Sequence, residues 1–200
     1  EKLVRHGFPA TRIAYTYNAL PAVDTGPEKL QKDYIMLGTL SRLDKVRNLA
    51  DTLQVFKMLD DKHLPVRLQI AGIGEETDNL KALAQQLGIA EKVSFLGGVR
   101  DLSSYFQSTD ILLNTPNVAG DHGAGVGNNI LEAGLYSTPV VSYDAAGISE
   151  MVINGQTGYC TPLRDLPAFS AAVETLVNDA DLRRRYGGAL NRHVTHLCSD

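Results

Sequence analysis

Short apolar runs of strand length alternate with helix-like segments, and this alternation constrains the fold more than any other feature of the chain. Runs of strand length occupy residues 34–40, 66–70, 93–96, 110–113 and 139–143. Strands that alternate with helices are typical of repeated βαβ units. The sequence therefore predicts an α/β fold with a Rossmann-like, doubly wound parallel sheet.

Apolar residues at helical spacing predict five helices between and after these strands. Asn48 is predicted to cap the first helix and Thr77 the second, which Gly88 closes. The third covers residues 128–136, is apolar nearly all round, and is expected to be buried. The last two are predicted at residues 167–177 and 182–190.

The regular pattern begins at Tyr34, so we expect a connector over residues 1–33 and one domain over residues 34–200. Hydrophobic residues make up 44% and charged residues 21%, which is typical of a globular chain. Since the chain begins at Glu1, we expect it to be a fragment of a longer protein.

The balance of charge and cysteine excludes several classes of protein. Lys and Arg number 19 against 23 Asp and Glu, a net charge of -4, which argues against broad nucleic-acid binding. Two cysteines exclude a disulfide scaffold, and free thiols in a reducing compartment are expected. No apolar run approaches the roughly 18 residues of a membrane-spanning helix, so no integral membrane segment is expected.

Two unusual loops are expected to meet at the switch point of the sheet, where strands one and four lie side by side. The first, residues 41–48, carries Arg42, Lys45 and Arg47 in place of the Gly-x-Gly-x-x-Gly fingerprint of dinucleotide-binding proteins. Arg42 and Arg47 could donate forked hydrogen bonds to a diphosphate, whereas Lys45 is expected to be solvated. The alternative is a charged surface loop that binds nothing.

The second loop, residues 114–127, ends in four glycines within eight residues just before the buried helix. Glycines let the backbone approach a ligand, and a helix start offers N–H groups and a positive dipole end to an anion. The alternative is a flexible loop without a ligand. Glu132 lies one turn into this apolar helix and needs a partner, either two sugar hydroxyls or an internal salt bridge.

An ordered series of motifs resembles the C-terminal, donor-binding half of GT-B fold retaining glycosyltransferases of family 4. No single motif is specific, but their order and gaps are, from about residue 34 to residue 190. The series consists of residues 38–48, 68–74, 93–99, 108–113, 130–133, 139–141, 147–150 and 154–158.

The resemblance assigns roles to particular residues. Arg42 and Arg47 would hold the donor diphosphate and act in catalysis, although the family usually has Lys at the second position. Gly98 and Val99 match the stretch whose backbone meets the nucleobase, and Glu132 matches the acid that holds the ribose hydroxyls. The glycine-loop residues assigned to donor binding are Gly125, Val126, Gly127 and Asn128.

One departure from the family pattern affects the donor sugar. The family has two glutamates eight positions apart, the first of which touches the sugar ring, and that position is Ala124 here. Asp121 or His122 of the same loop could substitute, or both could be solvated. The departure implies either an unusual donor sugar or a domain that has lost transfer activity.

The resemblance implies transfer of a sugar from a nucleoside-diphosphate sugar to an unknown acceptor, of hexosyltransferase type. No metal and no cofactor are expected, because the nucleotide sugar is a substrate. The acceptor site would lie in a missing N-terminal domain, so the fragment should be inactive alone. A cytoplasmic location is expected, with peripheral attachment at the inner membrane face open. The alternatives are a non-catalytic nucleotide-binding or interaction module and a sugar-nucleotide epimerase, with a hydride-transfer enzyme a distant third.

Overall fold

The computed structural model describes residues 32–117, 127–145 and 147–198, which contain one six-stranded sheet. The strands are β1 (Ile35–Leu40), β2 (Val66–Ala71), β3 (Val93–Gly97), β4 (Ile111–Asn114), β5 (Val140–Tyr143) and β6 (Gly158–Thr161). Every pairing is parallel and the order is β3-β2-β1-β4-β5-β6. The order reverses between β1 and β4, where Leu37 lies opposite Ile111. The predicted α/β, Rossmann-like doubly wound sheet is thereby confirmed.

Helices cover both faces of the sheet. They are α1 (Leu49–Asp61), α2 (Thr77–Gln86), α3 (Leu102–Ser108), α4 (Asn128–Leu135), α5 (Leu166–Asn178) and α6 (Ala180–Cys198). One core cluster joins the sheet to α1, α2 and α5, and a second joins it to α3, α4 and α6. Because α1 and α4 pack on opposite faces, their amino ends lie on opposite sides of the carboxyl edge of the sheet. No helix of the described residues is long and apolar enough to cross a membrane.

Helix α4 is buried, as predicted, and α6 determines how it lies. Ile130, Leu131 and Ala133 are almost inaccessible. A Cβ at Gly134 would stand 2.7 Å from Cγ2 of Val194, so only glycine permits this close packing of α4 on α6. Asn191 donates its side-chain amide to the carbonyls of Gly134 and Leu135 at 2.9 and 3.0 Å, closing the carboxyl end of α4.

Two elements were not predicted. Strand β6 pairs with β5 at the edge of the sheet, and it lacks the adjacent aliphatic residues that mark the equally short strands β4 and β5. Helix α3 has seven residues, fewer than periodicity can reveal. Its start carries a recognisable signal, since Oδ1 of Asp101 accepts a hydrogen bond from the Ser104 amide at 3.1 Å.

The predicted caps of the first two helices are wrong in detail. Asn48 stands at the N-cap of α1, but it adopts the left-handed conformation (φ 49°) and its side chain caps nothing. Thr77 is already helical, and its hydroxyl donates to the carbonyl of Gly74 at 2.7 Å. Gly88 does follow α2 with φ +70°, as expected of a glycine that ends a helix. The final helix is longer than predicted.

The predicted boundary between a connector at residues 1–33 and a domain at residues 34–200 stays a prediction. Residues 1–31 lie outside the described part of the chain. The residues just after them are anchored, because the ammonium of Lys32 lies 2.9 Å from the Asp110 carboxylate and 2.7 Å from the Ser108 carbonyl.

Candidate nucleotide-binding cleft at the carboxyl edge of the sheet

A cleft of about 710 Å³ opens beside the end of β1 and the first turn of α4. Seven residues singled out in the sequence line it, namely Arg42, Arg47, Gly98, Val99, Gly127, Asn128 and Glu132. They come from the loop after β1, the loop after β3 and α4, three segments that are far apart in sequence. The structure therefore brings together the described members of the predicted site, while the roles assigned to them stay predictions.

The remaining predicted positions are not described. Asp121, His122, Gly125 and Val126 lie outside the described residues, as does Ala124. The predicted substitution of Asp121 or His122 for the missing acid at Ala124 therefore stays a prediction.

Arg47 lines the cleft and has a buried donor beside it. Its Nε is inaccessible and has no hydrogen-bond partner among the described residues. Its backbone is held firmly, because the Arg47 amide donates to the carbonyl of Asp44 at 3.2 Å and to the Asp44 carboxylate at 3.0 Å. A buried donor without a partner costs about 1–3 kcal/mol. Such a group calls for an explanation, and an anionic ligand in the cleft is the simplest one.

Arg42 lies at the mouth of the same cleft. Its side chain is 74% exposed, and Nη2 lies 3.2 Å from Oδ2 of Asp44. An exposed ion pair contributes roughly 0–1 kcal/mol, so little would be lost if the guanidinium turned to an anion. Lys45, the third cation of the loop, is exposed and does not line the cleft, as expected from the sequence.

Glycines after β2 allow the cation loop, residues 41–48, to lie close against the end of β2. The amide of Leu43 donates to the Ile73 carbonyl at 3.0 Å, and the amide of Glu76 donates to the Leu43 carbonyl at 2.9 Å. A Cβ at Gly74 would stand 2.2 Å from the Leu43 carbonyl oxygen, and one at Gly72 would stand 1.8 Å from the carbonyl oxygen of Ser41. Side chains at these two positions would push the loop away from the sheet.

The amino end of α4 is tied to the ends of β4 and β5. Gly127 occupies the N-cap position, where a Cβ would stand 2.4 Å from Oδ1 of Asn129. The side-chain amide of Asn129 donates to Oδ1 of Asn114 at 3.4 Å, and that of Asn114 donates to Oγ of Ser142 at 3.0 Å. These contacts direct the positive end of the helix dipole toward the cleft.

Glu132 is half-buried in the cleft wall. Its carboxylate makes no hydrogen bond or ion pair with the described residues, so the internal salt bridge considered for it is absent from that part of the chain. Burial raises the pKa of this carboxyl above its ordinary value of 4.5. A ligand that donates hydrogen bonds to the carboxylate would reverse this effect.

The cleft has seven further lining residues to which the sequence analysis gave no role. They are Leu40, Ser41, Gly72, Ile73, Arg100, Leu102 and Asn129. Arg100 could have been found, because it follows Val99 directly and ligands of such sheets gather at the carboxyl ends of the strands. Ile73 is 70% exposed and supplies an apolar part of the cleft wall. The glycines beside it in the sequence gave no indication of this contact.

No three His, Cys, Asp or Glu side chains among the described residues lie close enough together to hold a metal ion. The Nε2 atom of His193 lies 2.7 Å from the Glu150 carbonyl oxygen.

Comparison with known proteins identifies the family. The sequence profile described as glycosyl transferases group 1 matches residues 24–191. The chain belongs to this family. The capsular polysaccharide biosynthesis glycosyltransferase CapM of Staphylococcus aureus is 28% identical over 161 residues, covering 80% of this chain and 41% of CapM. The chain thus spans less than half the length of CapM.

Solved structures agree in fold. A mutant of S. aureus TarM in complex with fondaparinux, alpha-GlcNAc-glycerol and UDP superposes with a TM-score of 0.84 and 17% identity, covering 98% of this chain and 38% of TarM. The C-terminal domain of the group 1 protein LpcC from Francisella tularensis gives a TM-score of 0.70 and 19% identity, covering 81% of this chain and 85% of that domain. The fold is that of the C-terminal domain of a GT-B glycosyltransferase.

Proposed function

We propose that this chain is the donor-binding half of a retaining, family 4 glycosyltransferase of hexosyltransferase type. It would bind a nucleoside-diphosphate sugar and pass the sugar to an acceptor with retention at the anomeric carbon. The nucleotide sugar is a substrate, and no cofactor is required. The observation that carries the proposal is that Arg47, whose buried Nε has no partner among the described residues, lines one cleft with Arg42, the start of α4 and Glu132.

The diphosphate is assigned to the cationic end of the cleft. Nε of Arg47 is already desolvated in the free protein. If the guanidinium turns so that Nε meets an anion, it gains a charge-assisted bond without a further desolvation penalty on this donor. Arg42 can turn from Asp44 to a second oxygen, and the α4 dipole favours negative charge at Gly127 and Asn128.

The nucleoside is assigned to the remaining wall. A ribose with two neighbouring hydroxyls would donate to the Glu132 carboxylate, which has no hydrogen bond or ion pair within the described residues. The base would lie against the backbone of Gly98 and Val99, with the exposed side chain of Ile73 beside it. The TarM structure of the same fold contains UDP, which makes UDP the first nucleotide to test.

The geometry suggests how this half of the enzyme assists transfer. Negative charge grows on the departing diphosphate as its bond to the sugar breaks. Arg42, Arg47 and the amino end of α4 are placed to stabilise that charge. Two guanidinium groups and a helix end can do this without a metal ion, and a metal-independent reaction is part of the proposal.

The acceptor is assigned to an N-terminal domain outside this sequence, so these residues alone should bind nucleotide and transfer nothing. A cytoplasmic location is part of the proposal, because it fits a nucleotide-sugar donor, and peripheral attachment at the inner membrane face is left open. The competing candidate is a non-catalytic nucleotide-binding module, favoured by Ala124 at the position of the family's sugar-contacting acid. Transfer by a longer protein that includes this chain would decide against that candidate.

Calorimetric titration with UDP, GDP, ADP and dTDP tests the proposal. Arg47→Met should weaken binding about 30-fold, since one charge-assisted bond is worth roughly 1.5–3 kcal/mol. Arg42→Ala should weaken binding less, because that side chain is mostly exposed. Lys45→Ala is the matched control, being a cation of the same loop outside the cleft, and should bind like the wild type. Failure of the wild type to bind any of the four diphosphates, or equal binding by Arg47→Met, contradicts the proposal.

A further inference from the structure

A buried hydroxyl behind the cleft holds the backbone from which Arg47 extends. Thr115 directly follows β4 and is only 3% exposed. Its Oγ1 lies 3.3 Å from the Arg47 carbonyl oxygen, 3.1 Å from the Asn48 carbonyl oxygen and 2.9 Å from Oγ1 of Thr52. One side chain thus contacts the two consecutive carbonyls that end the cation loop.

The donor and acceptor roles follow from the chemistry of these groups. Carbonyl oxygens only accept, so the Thr115 hydroxyl donates to the carbonyls of Arg47 and Asn48. The Thr52 hydroxyl then donates to Thr115, which gives the buried Thr115 oxygen a donor as well. Loss of the Thr115 hydroxyl would leave two backbone acceptors and the Thr52 hydroxyl with one partner fewer.

The backbone held in this way has an uncommon conformation. Asn48 has φ 49° and ψ 47°, a left-handed conformation that residues other than glycine rarely adopt. The next segment adds a second tie, because the amide of Asn117 donates to the Val46 carbonyl at 2.7 Å. The direction of the Arg47 side chain is set by the turn at Asn48, and the turn is held by the loop after β4.

Thr115 does not line the cleft, so any effect on a ligand is indirect, and its contact with the Arg47 backbone gives the route. We propose that Thr115 is a positioning residue that holds the Arg47 guanidinium in its diphosphate-binding orientation. The proposal rests on the proposed function of the cleft. It also predicts that the loops after β1 and β4, one carrying the arginines and the other leading to the glycines, act as one unit.

The test measures the affinity of Thr115 variants and of a structural control by calorimetry. The probe is whichever of UDP, GDP, ADP and dTDP binds the wild type most tightly. Thr115→Val removes the hydroxyl at nearly constant volume and should weaken binding about tenfold, the loss of roughly one such contact. Thr115→Ser keeps the hydroxyl and should bind within about twofold of the wild type. If Thr115→Val does not fold, Thr115→Ala carries the same comparison without adding volume.

Thr157→Val is the matched structural control. Thr157 is also 3% exposed, and its hydroxyl donates to the Met151 carbonyl at 2.8 Å and accepts from the Ile153 amide at 2.7 Å. It lies outside the cleft, so the variant should lose stability and keep its affinity. Equal loss of affinity in Thr157→Val and Thr115→Val would show a general effect of instability and overturn the proposal.

A double-mutant cycle separates positioning from any other effect of Thr115. In an Arg47→Met background, Thr115→Val should change affinity less than about twofold, because the group it positions is gone. Two results overturn the inference and leave the proposed function intact. In one, Thr115→Val weakens binding tenfold in both backgrounds. In the other, Thr115→Val leaves the affinity of the wild-type background unchanged while Arg47→Met weakens binding. If the wild type binds none of the four diphosphates, the proposed function fails, and this inference fails with it.

Discussion

Replacement of Arg47 by Met should stabilise the free protein and weaken its nucleotide complex. In the free protein, Nε of Arg47 is buried and has no hydrogen-bond partner within the described part of the chain. Methionine retains an aliphatic stem of similar length and brings no donor that needs a partner. A residue retained for packing would give the opposite result, because its replacement would destabilise the protein without regard to ligand.

The size of the effect follows from the unpaired donor. Relief of a buried, unsatisfied donor is worth about 1–3 kcal/mol. For a domain of 150–250 residues, each kcal/mol shifts the melting temperature by roughly 2–4 °C. The melting temperature of the ligand-free variant should therefore rise by about 2–12 °C.

The ligand acts in the opposite direction, because it stabilises the wild type more than the variant by about 1.8 kcal/mol. A nucleotide at 100 times its dissociation constant stabilises the wild type by about 2.7 kcal/mol. If Arg47→Met weakens binding about 30-fold, the same concentration stabilises the variant by only about 0.9 kcal/mol. The assay is a pair of melting curves for each protein, without nucleotide and with UDP, GDP, ADP or dTDP at a fixed concentration. A variant that melts lower than the wild type without ligand, or shows the same ligand-induced shift, refutes the reasoning.

Three further predictions concern other residues of the domain. Burial raises the pKa of Glu132, so the charged carboxylate destabilises the folded protein at neutral pH. Glu132→Gln should therefore raise the melting temperature at neutral pH, and this gain should shrink as the pH falls toward 4.5. A gain that stays constant over this pH range would contradict the argument. Gly74→Ala places a Cβ 2.2 Å from the Leu43 carbonyl oxygen and should lower the free energy of unfolding in urea by about 1–3 kcal/mol. In the matched control Gly98→Ala, the nearest atom to the new Cβ is 3.9 Å away, so stability should hardly change. Equal losses of stability in the two variants would refute the packing argument. Burial raises the pKa of the Cys160 thiol to about 11, and the Asp144 charge adds to the effect. At pH 7.5, Ellman's reagent should therefore label Cys160 far more slowly in the folded protein than in the protein unfolded in urea. Equal labelling rates would disprove the shift.

The regular elements could be predicted because their signals are local. Alternation of Val66, Leu68 and Ile70 predicts β2, and the apolar stripe of α2 ends at a glycine with positive φ, as expected. Two elements were not predicted, because β6 has no adjacent aliphatic residues and α3 has only seven residues in which a helical period could show.

The candidate site was predicted in outline for a different reason. In an open parallel sheet, ligands gather where the strand order reverses, so the loops after strands one and four could be singled out before their contacts were known. Arg42, Arg47 and Glu132 were found in this way, with roles carried over from the resemblance. Arg100 and Ile73 were given no role, because an exposed cation and an apolar loop residue have many uses unrelated to a ligand.

The sequence by itself determined the fold class, the reversal of the strand order between β1 and β4, and the place of the cation loop at the cleft, since these follow from local periodicity and from general rules of βαβ connection. Only the tertiary structure decided that residues after β2 also line the cleft, that Nε of Arg47 is buried without a partner among the described residues, and that Thr115 holds the cation loop. It also decided that Glu132 has no ion pair in that part of the chain. The physical reason is distance along the chain. Thr115 and Arg47 are 68 residues apart, and whether a buried polar group finds a partner depends on atoms that only folding brings together.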